Sequence, residues 1–62
     1  MELVKIAGGD CGRDDCPTVF ATPDSGVVAV QGYTVDRATP EGESIVSIPT
    51  TVLLEAARAL GG

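Results

Sequence analysis

The segment that most limits the folds open to this chain is Thr18-Val19-Phe20-Ala21-Thr22, followed by Pro23-Asp24-Ser25-Gly26 and then Val27-Val28-Ala29-Val30-Gln31. Two runs rich in β-branched residues are separated by four turn formers, which is the pattern of a β-hairpin. Pro23 presets φ, Asp24 can bond the backbone ahead of it, and Gly26 can supply the positive φ that closes such a loop with a bulge. The second arm, read over 27–35, is apolar on both faces at its start, because Val28 and Val30 point one way and Val27 and Ala29 the other. A strand wetted on one side has no need of that. Either the arm lies centrally with cover on both faces, or its second face is buried by another chain. Gly32 within it predicts a bend or a close backbone approach.

The remaining segments are read outward from this hairpin. Residues 3–6 are short and apolar, so they predict a weak edge strand with Val4 and Ile6 on one face. Residues 7–16 hold three Gly, three Asp and both cysteines with no period, and read as a loop. Residues 36–43 form a polar connection in which Pro40-Glu41-Gly42 suits a type I turn, with Pro at its second position and Gly at its fourth. A strand over 44–48 is stopped by Pro49, which is also well placed to begin a helix. From 50 to 60 the spacing of Val52, Leu53, Ala56 and Leu60 predicts an amphipathic helix, and Gly61-Gly62 supplies its stop. Ala56, Ala57 and Ala59 let that helix lie close to a sheet, while Arg58 complements its dipole. The fold expected is α+β, a small antiparallel β-sheet of three to four strands with one C-terminal α-helix, in a single domain over residues 1–62.

A chain of 62 residues removes only about 60% of its unfolded surface from water, so its core needs help from a disulfide, a metal or a partner subunit. At 44% hydrophobic and 21% charged it is too apolar for disorder. A formal charge of -5 repels phosphate backbones and anionic lipid, so neither direct nucleic-acid binding nor membrane binding is expected. The opening residues Met1-Glu2-Leu3-Val4-Lys5-Ile6 lack the basic start and long apolar stretch of a secretory signal, and a cytoplasmic protein is expected.

The chain has no His, one Lys, one Tyr and two Cys, so Cys-His and Ser-His sites cannot be assembled within it. The carboxylates of Asp10, Asp14 and Asp15 sit in a glycine-rich loop, a poor place for the pKa splitting that acid-base chemistry needs. No enzymatic activity and no cofactor are expected. Gly8-Gly9 and Gly12 match neither phosphate-loop spacing, and read as flexible connection. Cys11 and Cys16 admit three readings. They can be reduced residues without further role, a disulfide that anchors the N-terminal end, or two of the four ligands a structural zinc requires, completed only by a second chain. No metal is expected on ligand count. Arg13 would lower a neighbouring thiol pKa, and the flanking aspartates would oppose it. Tyr33 is the only amphipathic aromatic; it can cover a core edge, or it can join Gln31, Arg37, Val27 and Ala29 in an interface.

Cys16-Pro17-Thr18-Val19-Phe20, then 26–32 as Gly-Val-Val-Ala-Val-Gln-Gly, then Gly42-Glu43 and 45–49 before the helix resemble a group of short actinobacterial proteins of unknown function. These are typically encoded beside helix-turn-helix regulators, and BldB and the small proteins of the WhiJ and AbaA loci look like relatives of the group. The resemblance covers about three-quarters of the chain. This sequence lacks the tryptophan-serine segment at the N-terminus of the commoner form and has the Cys11 loop instead, which suggests a sister group. The resemblance implies partnership with a transcription regulator and carries over no catalytic residue. The expectation is therefore a small non-catalytic, homodimeric, protein-binding module that modulates a helix-turn-helix regulator. Two alternatives stay open, a thiol redox or metal sensor built on Cys11 and Cys16, and a toxin-antitoxin component.

Overall fold

The computed structural model describes residues 2–9 and 16–61. Strands β1 (Val4–Gly8), β2 (Thr18–Ala21) and β3 (Val28–Gln31) form an antiparallel sheet in the order β1-β2-β3. Strands β4 (Tyr33–Thr34) and β5 (Val46–Ser47) pair as a separate antiparallel ribbon, and helix α1 (Thr50–Ala59) closes the chain. The architecture is a small α+β fold, as the alternation of residue types predicts.

The first arm of the hairpin is the central strand, and the second arm is an edge. Beyond Gln31 the chain leaves the sheet at Gly32, and the next residues pair with β5, so among the described residues β3 is hydrogen-bonded to β2 and to no further strand of its sheet. Gly32 is required by a close approach: a Cβ there would lie 2.4 Å from the Ser47 carbonyl oxygen and 2.8 Å from Ile48 Cγ2. Of the two alternatives for 27–35, a central strand covered on both faces is not what forms: the arm divides at Gly32, where a bend or close approach was expected, into β3 and β4 in separate sheets.

Strand β1 is an edge, as expected, but it runs on through Ala7 and Gly8, which carry little strand signal. Its register against β2 breaks between Lys5 and Ala7, so Val4 pairs with Ala21, Lys5 with Phe20 and Ala7 with Val19. This bulge corrects the face assignment, because Val4 shares its face with Ala7 instead of alternating regularly with Ile6. Gly8 has φ +78°, and a Cβ on it would meet the Pro17 carbonyl oxygen at 2.4 Å. Glycine is thus what lets the chain pass so close to the start of β2, where the Gly9 N–H donates to the Pro17 carbonyl at 3.0 Å.

Side chains close the 22–27 loop. The Thr22 hydroxyl lies 2.9 Å from the carbonyl oxygens of both Asp24 and Val27 and accepts from the Asp24 N–H at 3.1 Å. The Gly26 N–H donates to Asp24 Oδ1 at 2.9 Å, and the Val27 N–H to the Asp24 carbonyl at 3.0 Å. Gly26 does not adopt a positive φ; the Asx-type bond from Asp24 makes one unnecessary. The second turn is displaced by one residue from its expected place. The Glu43 N–H donates to the Pro40 carbonyl at 3.0 Å with Gly42 at φ +85°, so glycine takes the third position, where a positive φ is required. The Thr39 hydroxyl, which donates to the Glu43 carbonyl at 2.8 Å, latches that turn.

Helix α1 begins after Pro49, whose carbonyl accepts from the Val52 N–H at 3.0 Å, and it ends with Gly61 donating to the Arg58 carbonyl. It packs on β1 and, less extensively, on β2. The core is correspondingly small: Ala7, Val19 and Ala56 are buried, with Ile6, Ile48 and Val52 packed around them. Of the four residues whose spacing predicts the helix, Val52 and Ala56 face this core. Leu53 and Leu60 remain 57% and 60% exposed, because a single short helix seated over Ala7 and Gly8 meets the sheet along one narrow stripe.

Candidate functional site

Strand register determines which side chains share a surface. Val4, Ala21 and Val28 form one cross-strand row, and Ala7, Val19 and Val30 the next, all on the face that carries α1. The helix buries Ala7 and Val19 and stops short of the rest of both rows. Val28 and Val30 therefore stay 43% and 44% exposed, and Val4 is also exposed. A shallow depression of about 270 Å3 opens beside them, lined by Glu2, Val4, Ala21, Thr22 and Pro23. On the helix itself, Leu53, Leu54 and Leu60 extend the apolar exposure.

The opposite face carries the rows Lys5, Phe20, Ala29 and Thr18, Gln31. Phe20, Ala29 and Gln31 are half-buried and Thr18 is buried. Gln31 has a structural role here. Its Nε2 donates to the Cys16 carbonyl at 2.8 Å, and the Thr18 hydroxyl donates to the same carbonyl at 2.7 Å, which ties the entry of β2 to the end of β3. Cys16 itself is buried and disulfide-bonded. The partner expected for it, Cys11, lies outside the described residues, as do Asp10, Gly12, Arg13, Asp14 and Asp15 with the carboxylate and thiol-tuning readings placed on them. A sulfur engaged in a disulfide offers no thiolate to a metal, so the zinc reading requires prior reduction.

Of the residues expected at an interface, Val27 and Arg37 are exposed, and Tyr33 is 63% exposed in β4 opposite Ser47. Ala29 and Gln31 lie on the sheet face opposite Val28 and Val30. The structure instead brings forward Val4, Val28, Val30, Leu53, Leu54 and Leu60. For the helical leucines the available signal was a helix apolar over more than one stripe. Every described carboxylate, namely Glu2, Asp24, Asp36, Glu41, Glu43 and Glu55, is exposed. Among the described residues no cluster of His, Cys, Asp or Glu is grouped to hold a metal ion, and no helix is long and apolar enough to cross a membrane.

Among the described residues ten large apolar side chains are exposed: Leu3, Val4, Val27, Val28, Val30, Tyr33, Val35, Leu53, Leu54 and Leu60. Comparison with protein-family models, with characterised proteins and with solved structures finds no match to this chain.

Proposed function

We propose that this protein is a small non-catalytic binding module that acts in the cytoplasm by modulating a helix-turn-helix transcription regulator through protein contacts. The observation that carries the reading is the exposure of Val4, Val28, Val30, Leu53, Leu54 and Leu60 on a chain of 62 residues. All six are aliphatic, and grouped exposed aliphatic side chains are the kind of surface that a folded chain covers with a partner. The identity of that partner rests on the resemblance carried by 16–20, 26–32 and 42–49.

The test is co-elution of the purified full chain with the helix-turn-helix regulator encoded beside its gene, at micromolar concentration and with reductant present. A shared peak that is lost on replacing Leu53 and Leu60 by Glu supports the reading, and separate elution of wild type and regulator overturns it. The disulfide-bonded state of Cys16 favours a second reading, thiol-based sensing. A complex that forms in oxidised protein alone would select it, because the cytoplasm holds most disulfides reduced.

A further inference from the structure

We propose that residues 33–47 form a clasp that opens as a unit while the three-stranded sheet and α1 stay folded, and that the open clasp presents the Arg37–Ala38 bond to an endoprotease that cuts after basic residues. The inference does not depend on the regulator reading, which rests on exposed aliphatic side chains of the sheet and helix.

The segment is bonded to itself. Tyr33 pairs with Ser47 and Thr34 with Val46, the Val35 N–H donates to the Ile45 carbonyl at 2.9 Å, and the Arg37 N–H donates to the Val35 carbonyl at 2.9 Å. At the tip lie the Pro40–Glu43 turn and its Thr39 latch. Among the described residues, the hydrogen bonds of 33–47 thus begin and end inside it. Strands β4 and β5 make a sheet of their own, and their contacts with α1 and with β1–β3 are slight. From 33 to 44 every residue but Thr39 is exposed. A two-stranded ribbon without a third strand or a core to lie on is marginally stable in water, so this one opens at a lower free energy than the body does.

The opening stops at the base. There Gly32 lies against the Ser47 carbonyl and the Ile48 side chain, and Ile48 packs on the core. Unpairing of 33–47 therefore leaves β3 in its sheet and α1 held by its packing on β1 and β2. A protease needs a locally unfolded, accessible stretch. Of the described basic residues, Lys5 is paired in β1 and Arg58 lies in the last turn of α1. Arg37 is exposed and outside regular structure. Hydrolysis there adds one water across the Arg37–Ala38 amide, leaving a carboxylate on Arg37 and an ammonium on Ala38. The cut severs the covalent link between the three-stranded sheet and α1, after which packing alone holds the helix.

The experiment combines native-state amide exchange with limited trypsin digestion of the full chain, its Cys16 disulfide intact, in wild type and Gly42→Ala. Gly42 has φ +85° and open space around its Cα, so alanine strains the turn and meets nothing else. In wild type the Val35 and Glu43 amides are expected to be at least about tenfold less protected than those of β2 and β3. Trypsin is expected to cut after Arg37 before it cuts after Lys5 or Arg58. G42A should speed exchange at Val35 and the cut after Arg37 by at least about fivefold, because cleavage follows the open population, and should leave exchange in β2 and β3 unchanged. Protection at Val35 equal to that of β2 and β3 overturns the proposal, as does a first cut after Lys5 or Arg58. G42A that speeds exchange in β2 and β3 by the same factor as at Val35 also overturns it, since the clasp and the body would then be one cooperative unit.

Discussion

At the scale of the residue, two glycines do work that no other side chain can, and they were unequally visible in the sequence. Gly32 interrupts an apolar strand, which is a recognisable signal, and the structure supplies its reason in the Ser47 carbonyl 2.4 Å from where a Cβ would sit. Because the obstacle is backbone, Gly32→Ala must shift the β5 segment, and we expect a loss of about 1–3 kcal/mol in urea denaturation. Gly8 sits among other loop-forming residues, so its role at the end of β1 could not be told apart from flexibility. Gln31 shows the same limit. Its position in a strand suggested a contact residue, whereas its Nε2 is committed to the Cys16 carbonyl fifteen residues earlier in the chain.

Among the elements, the hairpin and the helix were legible because each is specified locally. The β2–β3 loop carries its own hydrogen-bonding side chains in Thr22 and Asp24, and α1 carries a proline start and a glycine stop. The less local element is the entry to β2, where Cys16 is buried and disulfide-bonded and its carbonyl takes hydrogen bonds from Thr18 and Gln31. A disulfide that closes a short loop stabilises by roughly 2 kcal/mol, mainly through the unfolded state. Adding dithiothreitol should therefore lower the stability in chemical denaturation by about that amount, while the β2–β3 amide protection pattern persists in the reduced native state. An unchanged midpoint would show that the hydrogen bonds alone hold this junction.

For the whole molecule, the deciding fact is how little is buried. Among the described residues four apolar ones, Ala7, Cys16, Val19 and Ala56, are buried, and three of them are small. A core of this size leaves stability dependent on what covers Val28, Val30, Leu53 and Leu60. Association that covers these side chains predicts a midpoint of thermal unfolding that rises by a few °C per hundredfold increase in protein concentration. The same series for L53E/L60E should rise less. A midpoint independent of concentration in wild type would mean that the sheet and helix are self-sufficient.

The sequence by itself determined the α+β class, the hairpin, the helix and its ends, and the presence of more apolar strand surface than one sheet face needs. These follow from residue type and short spacings, which act through propensity, turn chemistry and capping. Tertiary structure alone decided that β2 is central and β3 an edge, that a bulge turns Val4 and Ala7 to the same face, that Gln31 braces Cys16, and that α1 covers β1 in preference to β3. Each depends on which distant segments meet, and a single chain's hydrophobic pattern leaves that open when both faces of a strand are apolar. The physical reason is geometric: one ten-residue helix can cover about two strands, and the strand left uncovered is determined by where the Gly8 and Gly32 close approaches place the chain.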